Sequence, residues 1–200
     1  MTAPNNLTPE TIQSNAAPDP TDAALLVYQV NGGQSNTPSY CIQVADYTPA
    51  ALATDVITIS GSATKTIEIT SIRVSAASTN GGIVDLYFYK RTTLDTGGTS
   101  TVPVAVPYNS TNAAATAGLK AYSVNPSALG TGQLIRGFHY YLGSKSTNAS
   151  PPLDLDIDFG TRGTQPLILN GVNESLCFGL NGQTLPAGFD FYLMIEWTEQ

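Results

Sequence analysis

Charge is scarce in this sequence. Only 12 % of its 200 residues are Asp, Glu, Lys or Arg, about half the usual share of roughly 25 %. Eight Lys and Arg residues cannot build the basic face that phosphate neutralisation requires, so nucleic acid is not an expected partner. The Glu, Lys, Leu and Arg of a helical bundle or coiled coil are missing too. No apolar run approaches the roughly 18 residues of a membrane-crossing helix, so no membrane partner is expected. There is one histidine, and there are two cysteines, Cys41 and Cys177. The first residues, MTAPNNLTPETIQSN, lack the basic start and apolar stretch of a secretory signal, so synthesis in a cytoplasm is expected. That leaves no oxidising compartment to favour a disulfide, and no glycan is implied at Asn6, Asn109, Asn148 or Asn173 despite their Asn-x-Ser/Thr context.

Small polar residues fill the gap. Thr (25), Ser (16), Asn (13) and Gly (18) together make 72 of the residues. Hydrophobic residues still reach 42 %, with 10 Tyr and 6 Phe, enough for a core and against disorder throughout. The length suits one domain, and a chain of this size buries about 70 % of its unfolded surface without a disulfide or metal.

Residues 1–24 form a proline-rich arm with Pro4, Pro9, Pro18 and Pro20 and no aromatic residue. Such a segment is either a tail or a strap that orders on a neighbouring subunit. Residues 25–200 then read as one domain of β runs separated by Gly, Asn, Pro, Ser and Thr turns. The runs are Leu25–Val30, Tyr40–Ala45, Asp55–Ser60, Thr64–Ser75, Ile83–Arg91, Gln133–Leu142, Leu153–Phe159, Leu167–Leu169, Ser175–Leu180 and Phe189–Thr198. In the last, Phe189, Phe191, Leu193, Ile195 and Trp197 share one face. In Thr64–Ser75 the apolar phase slips near Ser71, which predicts a bulge. One-faced alternation predicts an all-β fold, an antiparallel β-sandwich of jelly-roll type. Residues 92–132 form a long loop, where the alternation of Val102, Val104 and Val106 suggests a short strand and 112–118 suggests one helical turn. A loop this long is usually functional or ordered by a partner.

Candidate chemistry is thin. His139 lies within a strand and reads as a surface or interface residue. No Gly-x-Ser-x-Gly elbow is present, and neither cysteine has the setting of an activated thiolate. Asp95-Thr96-Gly97 matches the aspartic-protease triplet by letter, but Gly98 follows it in a polar stretch, which is turn chemistry. The glycines of 61–65 and 130–132 lack a phosphate-loop context. Asp154, Asp156 and Asp158 alternate along one strand face. Their oxygens suit Ca²⁺, but alternate residues lie roughly 6.6–6.8 Å apart, so they do not converge. A solvated or inter-subunit face, paired with Arg162 or a cation of a neighbouring strand, is the simpler reading. Asp154 with Glu196 or Asp190 supplies the two carboxylates of a glycosidase in name only. No catalytic residue, metal or cofactor is expected. Outward tyrosines stand out more: Tyr87 and Tyr89 opposite the apolar set of their strand, and adjacent Tyr140 and Tyr141. With the four arm prolines they are the candidate interface residues, suited to subunit contacts or sugar stacking.

Three segments carry a resemblance: Ile59-Ser60-Gly61-Ser62-Ala63-Thr64-Lys65-Thr66-Ile67; Val84–Thr92 running into Thr96–Ser100 and Val106–Ser110; and Ile195-Glu196-Trp197-Thr198-Glu199. Over roughly residues 54–200 the chain resembles small virion structural proteins of tailed bacteriophages. The resemblance implies a jelly-roll capsid decoration (cement) protein located in the virion. It implies a homotrimer that contacts the major capsid protein or other virion proteins, acts through buried area and arm exchange, and has no enzymatic activity. A head-fibre, tail-tip or adhesin module binding a surface glycan is the competing expectation.

Overall fold

The computed structural model describes residues 37–146, 153–160 and 165–200. The arm with Pro4, Pro9, Pro18 and Pro20, the run Leu25–Val30, Asn148 and Arg162 lie outside the described residues. Over the described residues the chain is all-β, twelve strands in two antiparallel sheets facing one another. The strands are β1 (Ser39–Tyr47), β2 (Asp55–Ser60), β3 (Ile67–Ala77), β4 (Gly82–Arg91), β5 (Thr99–Thr101), β6 (Val106–Pro107), β7 (Gly118–Val124), β8 (Gly132–Leu142), β9 (Leu153–Asp158), β10 (Leu167–Leu169), β11 (Ser175–Gly179) and β12 (Asp190–Glu199).

Sheet I runs β10-β3-β12-β1-β6, with β9 also on β3; sheet II runs β5-β7-β2-β11-β4-β8. β9 and β10 occupy successive stretches of one edge of β3, pairing with Ser71–Ala76 and Ile67–Ile69 respectively. Between these stretches the register of β3 against β12 shifts, from Glu196↔Ser71 to Trp197↔Ile69. This is the bulge that the apolar phase slip near Ser71 predicts. It keeps Ile67, Ile69, Ile72 and Val74 all fully buried in one strand.

The core lies between the sheets because alternation points one face of each strand inward. Phe191 of sheet I meets Phe178 of sheet II at 5.1 Å between ring centroids, and Phe88 packs tilted against Phe178 at 5.4 Å. Tyr40 lies on Trp197 at 5.7 Å. Such pairs add about 0.5–1.5 kcal/mol each beyond their buried area. Phe189, Phe191, Leu193, Ile195 and Trp197 are buried as a set, as their spacing predicts.

Two central strands depart from alternation. β11 is buried at every residue, and β2 at all but Ser60. A strand buried on both faces needs a cover on each. The outer cover is the stretch 92–131, which enters from β4 and returns to β8. It holds β5, β6 and β7, so the expected long loop is a partly stranded crosspiece. β7 pairs with the edge of β2, β5 with β7, and β6 with β1. One expectation for it fails and one holds. Residues 112–118 make no helical turn; the N–H groups of Thr116 and Ala117 go to Glu199 and the Ala113 carbonyl accepts from the Tyr40 hydroxyl. The valine alternation does carry a short strand, β6 at Val106–Pro107; Val102 and Val104 lie outside it, and Pro103 between them has no N–H for a ladder.

Candidate functional site

The neck of the crosspiece is a buried polar cluster. β4 ends at Arg91, whose guanidinium grips Asp55 with two prongs, Nε to Oδ2 at 2.5 Å and Nη2 to Oδ1 at 2.8 Å. A register shift between Phe178 and Gly179 sets Asp55 opposite Gly179, on the outer face of sheet II. The third prong, Nη1, donates to the Gly130 carbonyl at 2.5 Å. Asp95 accepts from the Gly130 N–H at 2.8 Å, and its carboxylate lies 3.4 Å from Arg91 Nε. Thr92 N–H donates to Thr131 O at 2.7 Å and Thr131 N–H to Thr93 Oγ1 at 2.7 Å. Both ends of the crosspiece are thereby clasped to each other and to sheet II. A side chain at Gly130 would place its Cβ 1.9 Å from the Thr93 carbonyl oxygen, so only glycine fits there. Gly97 and Gly98 have φ of 68° and 75°, the backbone that the Asp-Thr-Gly-Gly turn requires.

The electrostatics follow from burial. Burial opposes the charge of Arg91, but its hydrogen bonds to Asp55 outweigh this and hold the guanidinium charged beyond its ordinary range. Burial and the nearby Asp55 push the Asp95 carboxyl up to about 6, against the opposing Gly130 hydrogen bond and the Arg91 charge. Among the described residues, Asp95 Oδ2 and the Tyr122 hydroxyl are buried without a hydrogen-bond partner, and both residues line a cavity of ≈ 300 Å³ with Thr58, Ser60, Lys120 and Ser175. Burial, with the charge of Asp95 second, moves the Tyr122 phenol to about 12. Cys177 is buried beneath the clasp, and burial first of all keeps its thiol neutral. One oxygen each of Asp55 and Asp95 and the Cys177 sulfur lie within 4.8 Å of one another. That spacing alone suits a metal, but Arg91 already engages both oxygens of Asp55 and would repel a cation there.

A second anchor lies at the far end. Glu199, fully buried, accepts from Thr116 N at 2.8 Å, Thr116 Oγ1 at 2.8 Å, Ala117 N at 3.1 Å and Trp197 Nε1 at 3.1 Å, with Lys65 at 3.7 Å. Burial pushes its carboxyl up, and these hydrogen bonds more than offset it, leaving it below the usual range. Glu196 accepts from Ser71 at 2.6 Å and from Tyr108. Between the anchors, Val102, Val104, Val106 and Tyr108 stand out of the surface at 74, 79, 52 and 59 % exposure. The clasps hold in place an apolar ridge that no described residue covers.

The tyrosines expected at an interface differ among themselves. Tyr87 and Tyr89 are half-buried and stacked at 6.2 Å, with Arg91 5.0 Å over the Tyr89 ring. Tyr140 is half-buried against Phe138 at 6.2 Å. Tyr141 is 76 % exposed and pairs with exposed Ile83. Asp154, Asp156 and Asp158 are exposed on one face of β9. Asp156 pairs with Arg73 of the neighbouring strand at 3.0 Å, the cation partner expected for that face. His139, exposed, pairs with Asp85 on β4. Lys145 rather than a second carboxylate engages Asp190, and Glu196 faces Ser71 and Tyr108. Cys41 and Cys177 are free thiols. Sequence reasoning missed the clasp. Its only signal was Arg91 at a strand end, four residues before an Asp in a turn.

No helix among the described residues is long and apolar enough to cross a membrane. No family model and no curated protein matches the chain.

Proposed function

We propose that this chain is a non-enzymatic structural protein of a virus particle, a capsid decoration protein that stabilises contacts between capsomers as a homo-oligomer. The observation that carries the reading is the apolar ridge Val102–Tyr108, held out from the surface by clasps at both ends. Exposed apolar side chains fixed in place favour a protein partner that buries them. With the crosspiece set aside, the sheets order as β1-β12-β3-β9/β10 and β2-β11-β4-β8, which supports the jelly-roll architecture of many capsid proteins. The partner is then the major capsid protein or another virion protein, and the location is the virion.

The test is a particle assembled without this protein. Such particles should lose resistance to heat and osmotic shock and regain it when the purified protein is added back. A protein carrying Val104→Asp should fail to restore it. Particles that stay as stable as before but no longer adsorb to cells would overturn the reading. That result would favour a host-recognition module, in which exposed Tyr141 beside Ile83 offers an apolar platform for a sugar ring.

A further inference from the structure

The cluster at the neck holds one cation and two carboxyl groups. Arg91 balances Asp55 through a two-pronged pair. Asp95 is 5 % exposed, reaches Arg91 only at 3.4 Å, and has one oxygen without a partner. Every element packed against it adds its own group: Asp55 from β2, Arg91 from β4, Cys177 from β11, and Tyr122 from β7. Lys120 of β7 lines the same cavity and sits 5.8 Å over the Tyr122 ring. Cys177 and Tyr122 are neutral, so an ionised Asp95 leaves a second buried negative charge with one guanidinium to share. A buried charge without its own partner is costly, and a proton removes that cost.

We infer that Asp55, Asp95 and Arg91 form a proton-operated clasp, in which a proton held between the two carboxyl groups fastens the neck of the crosspiece to sheet II and its loss loosens the neck over Cys177. The neck is the natural place to open. Its backbone bonds are local to 91–96 and 127–131, and the ridge segment between the anchors carries no buried side chain. The inference goes beyond the structural role proposed above and does not depend on it.

The direction is fixed by where Asp95 releases its proton. In the fastened neck it does so at about 6; in an opened neck it does so near 3.9. Opening is therefore rarest below about pH 4, grows about tenfold per pH unit from there to about pH 6, and levels off beyond, a total near 100-fold.

Cys177 reports the opening, since it is buried beneath the clasp. In a Cys41→Ser protein it is the only thiol. Its reaction with a pyridyl disulfide is followed from pH 4 to about 7.5 and divided at each pH by the rate of the urea-unfolded protein, so that thiol ionisation cancels. Protection should fall by about 100-fold between pH 4 and about pH 6.5 and then stay level. In Cys41→Ser with Asp95→Asn, whose amide bridges the same neighbours without titrating, it should not change with pH. Parallel profiles in the two proteins would overturn the inference. So would loss of protection of the β3–β12 amides in step with Cys177, which would mean the whole sandwich opens. Should Asp95→Asn not fold, carbon-13 titration of the Asp95 carboxyl in the unsubstituted protein decides. A midpoint near 6 supports the clasp, and one in the ordinary aspartate range overturns it.

Discussion

Arg91 and Asp55 face each other across the outer side of sheet II with their planes matched, Nε and Nη2 each on its own carboxylate oxygen at 2.5 and 2.8 Å. They sit on strands that do not touch, since β11 runs between β4 and β2. The pair therefore spans a whole strand, and the third prong of Arg91 carries the link on to Gly130. One side chain ties the sheet to its cover.

Removing one member of this pair should cost about 3–5 kcal/mol, because it strands a charge in a dry site. Arg91→Met and Asp55→Asn are both expected to lower the urea midpoint. Arg91→Lys keeps the charge but not the fork, and should recover only part of the loss. Equal midpoints for Arg91→Lys and the unsubstituted protein would show that fork geometry is unimportant.

The two groups with opposed titrations should give a stability maximum on the acid side. Asp95 binds its proton more tightly folded than unfolded, so its contribution is complete below about pH 4 and lost as pH rises toward 6. Glu199 behaves the other way. Its folded form holds its charge to lower pH, so its contribution is present above the unfolded value and lost as pH falls through its depressed one. Thermal melts across this range should peak between the two, and Asp95→Asn should flatten the alkaline side alone.

Glu199→Gln should cost about 1–3 kcal/mol and raise hydrogen exchange at the Thr116 and Ala117 amides, which it bonds. Exchange at Gly130, held by the other anchor, should be unchanged. Coupled loosening of both would mean that the crosspiece opens as one piece.

Gly130→Ala is expected to destabilise more than an exposed turn glycine does, since its methyl would meet the Thr93 carbonyl. Gly171, with open space where a Cβ would sit, serves as the comparison. Its positive φ carries the ordinary cost of about 1–2 kcal/mol, whereas Gly130 has no positive φ, so a loss at Gly130 larger than that of Gly171→Ala must come from the contact.

The strands were legible because their physics is local. Phe189 to Trp197 alternate strictly, and one face of a sandwich is all they need. The slip at Ser71 was legible for the same reason. β7 was not, because Leu119 and Ala121 offer a weak apolar signal among Thr, Ala and Gly, and its place is set by the edge of β2. The clasp was hidden further. Asp55, Arg91, Asp95 and Gly130 are separated by up to 75 positions in the chain, and the sign of a buried cluster depends on which strands lie side by side. Asp95 read as turn chemistry, which it is, while its charge answers to a neighbour 40 residues earlier.

The neck also makes the crosspiece a cassette. Arg91 and Gly132 are register partners in one hairpin, so the chain enters and leaves the crosspiece through a single doorway, with Thr92 and Thr131 as its posts. A shorter insert could join β4 to β8 with no shift in the sandwich beneath. What such an insert could not omit is a lid: Asp55 and Cys177 would stand in water without one. Exchange of this segment between proteins is thus limited less by its ends, which meet, than by the patch of polar floor it must roof.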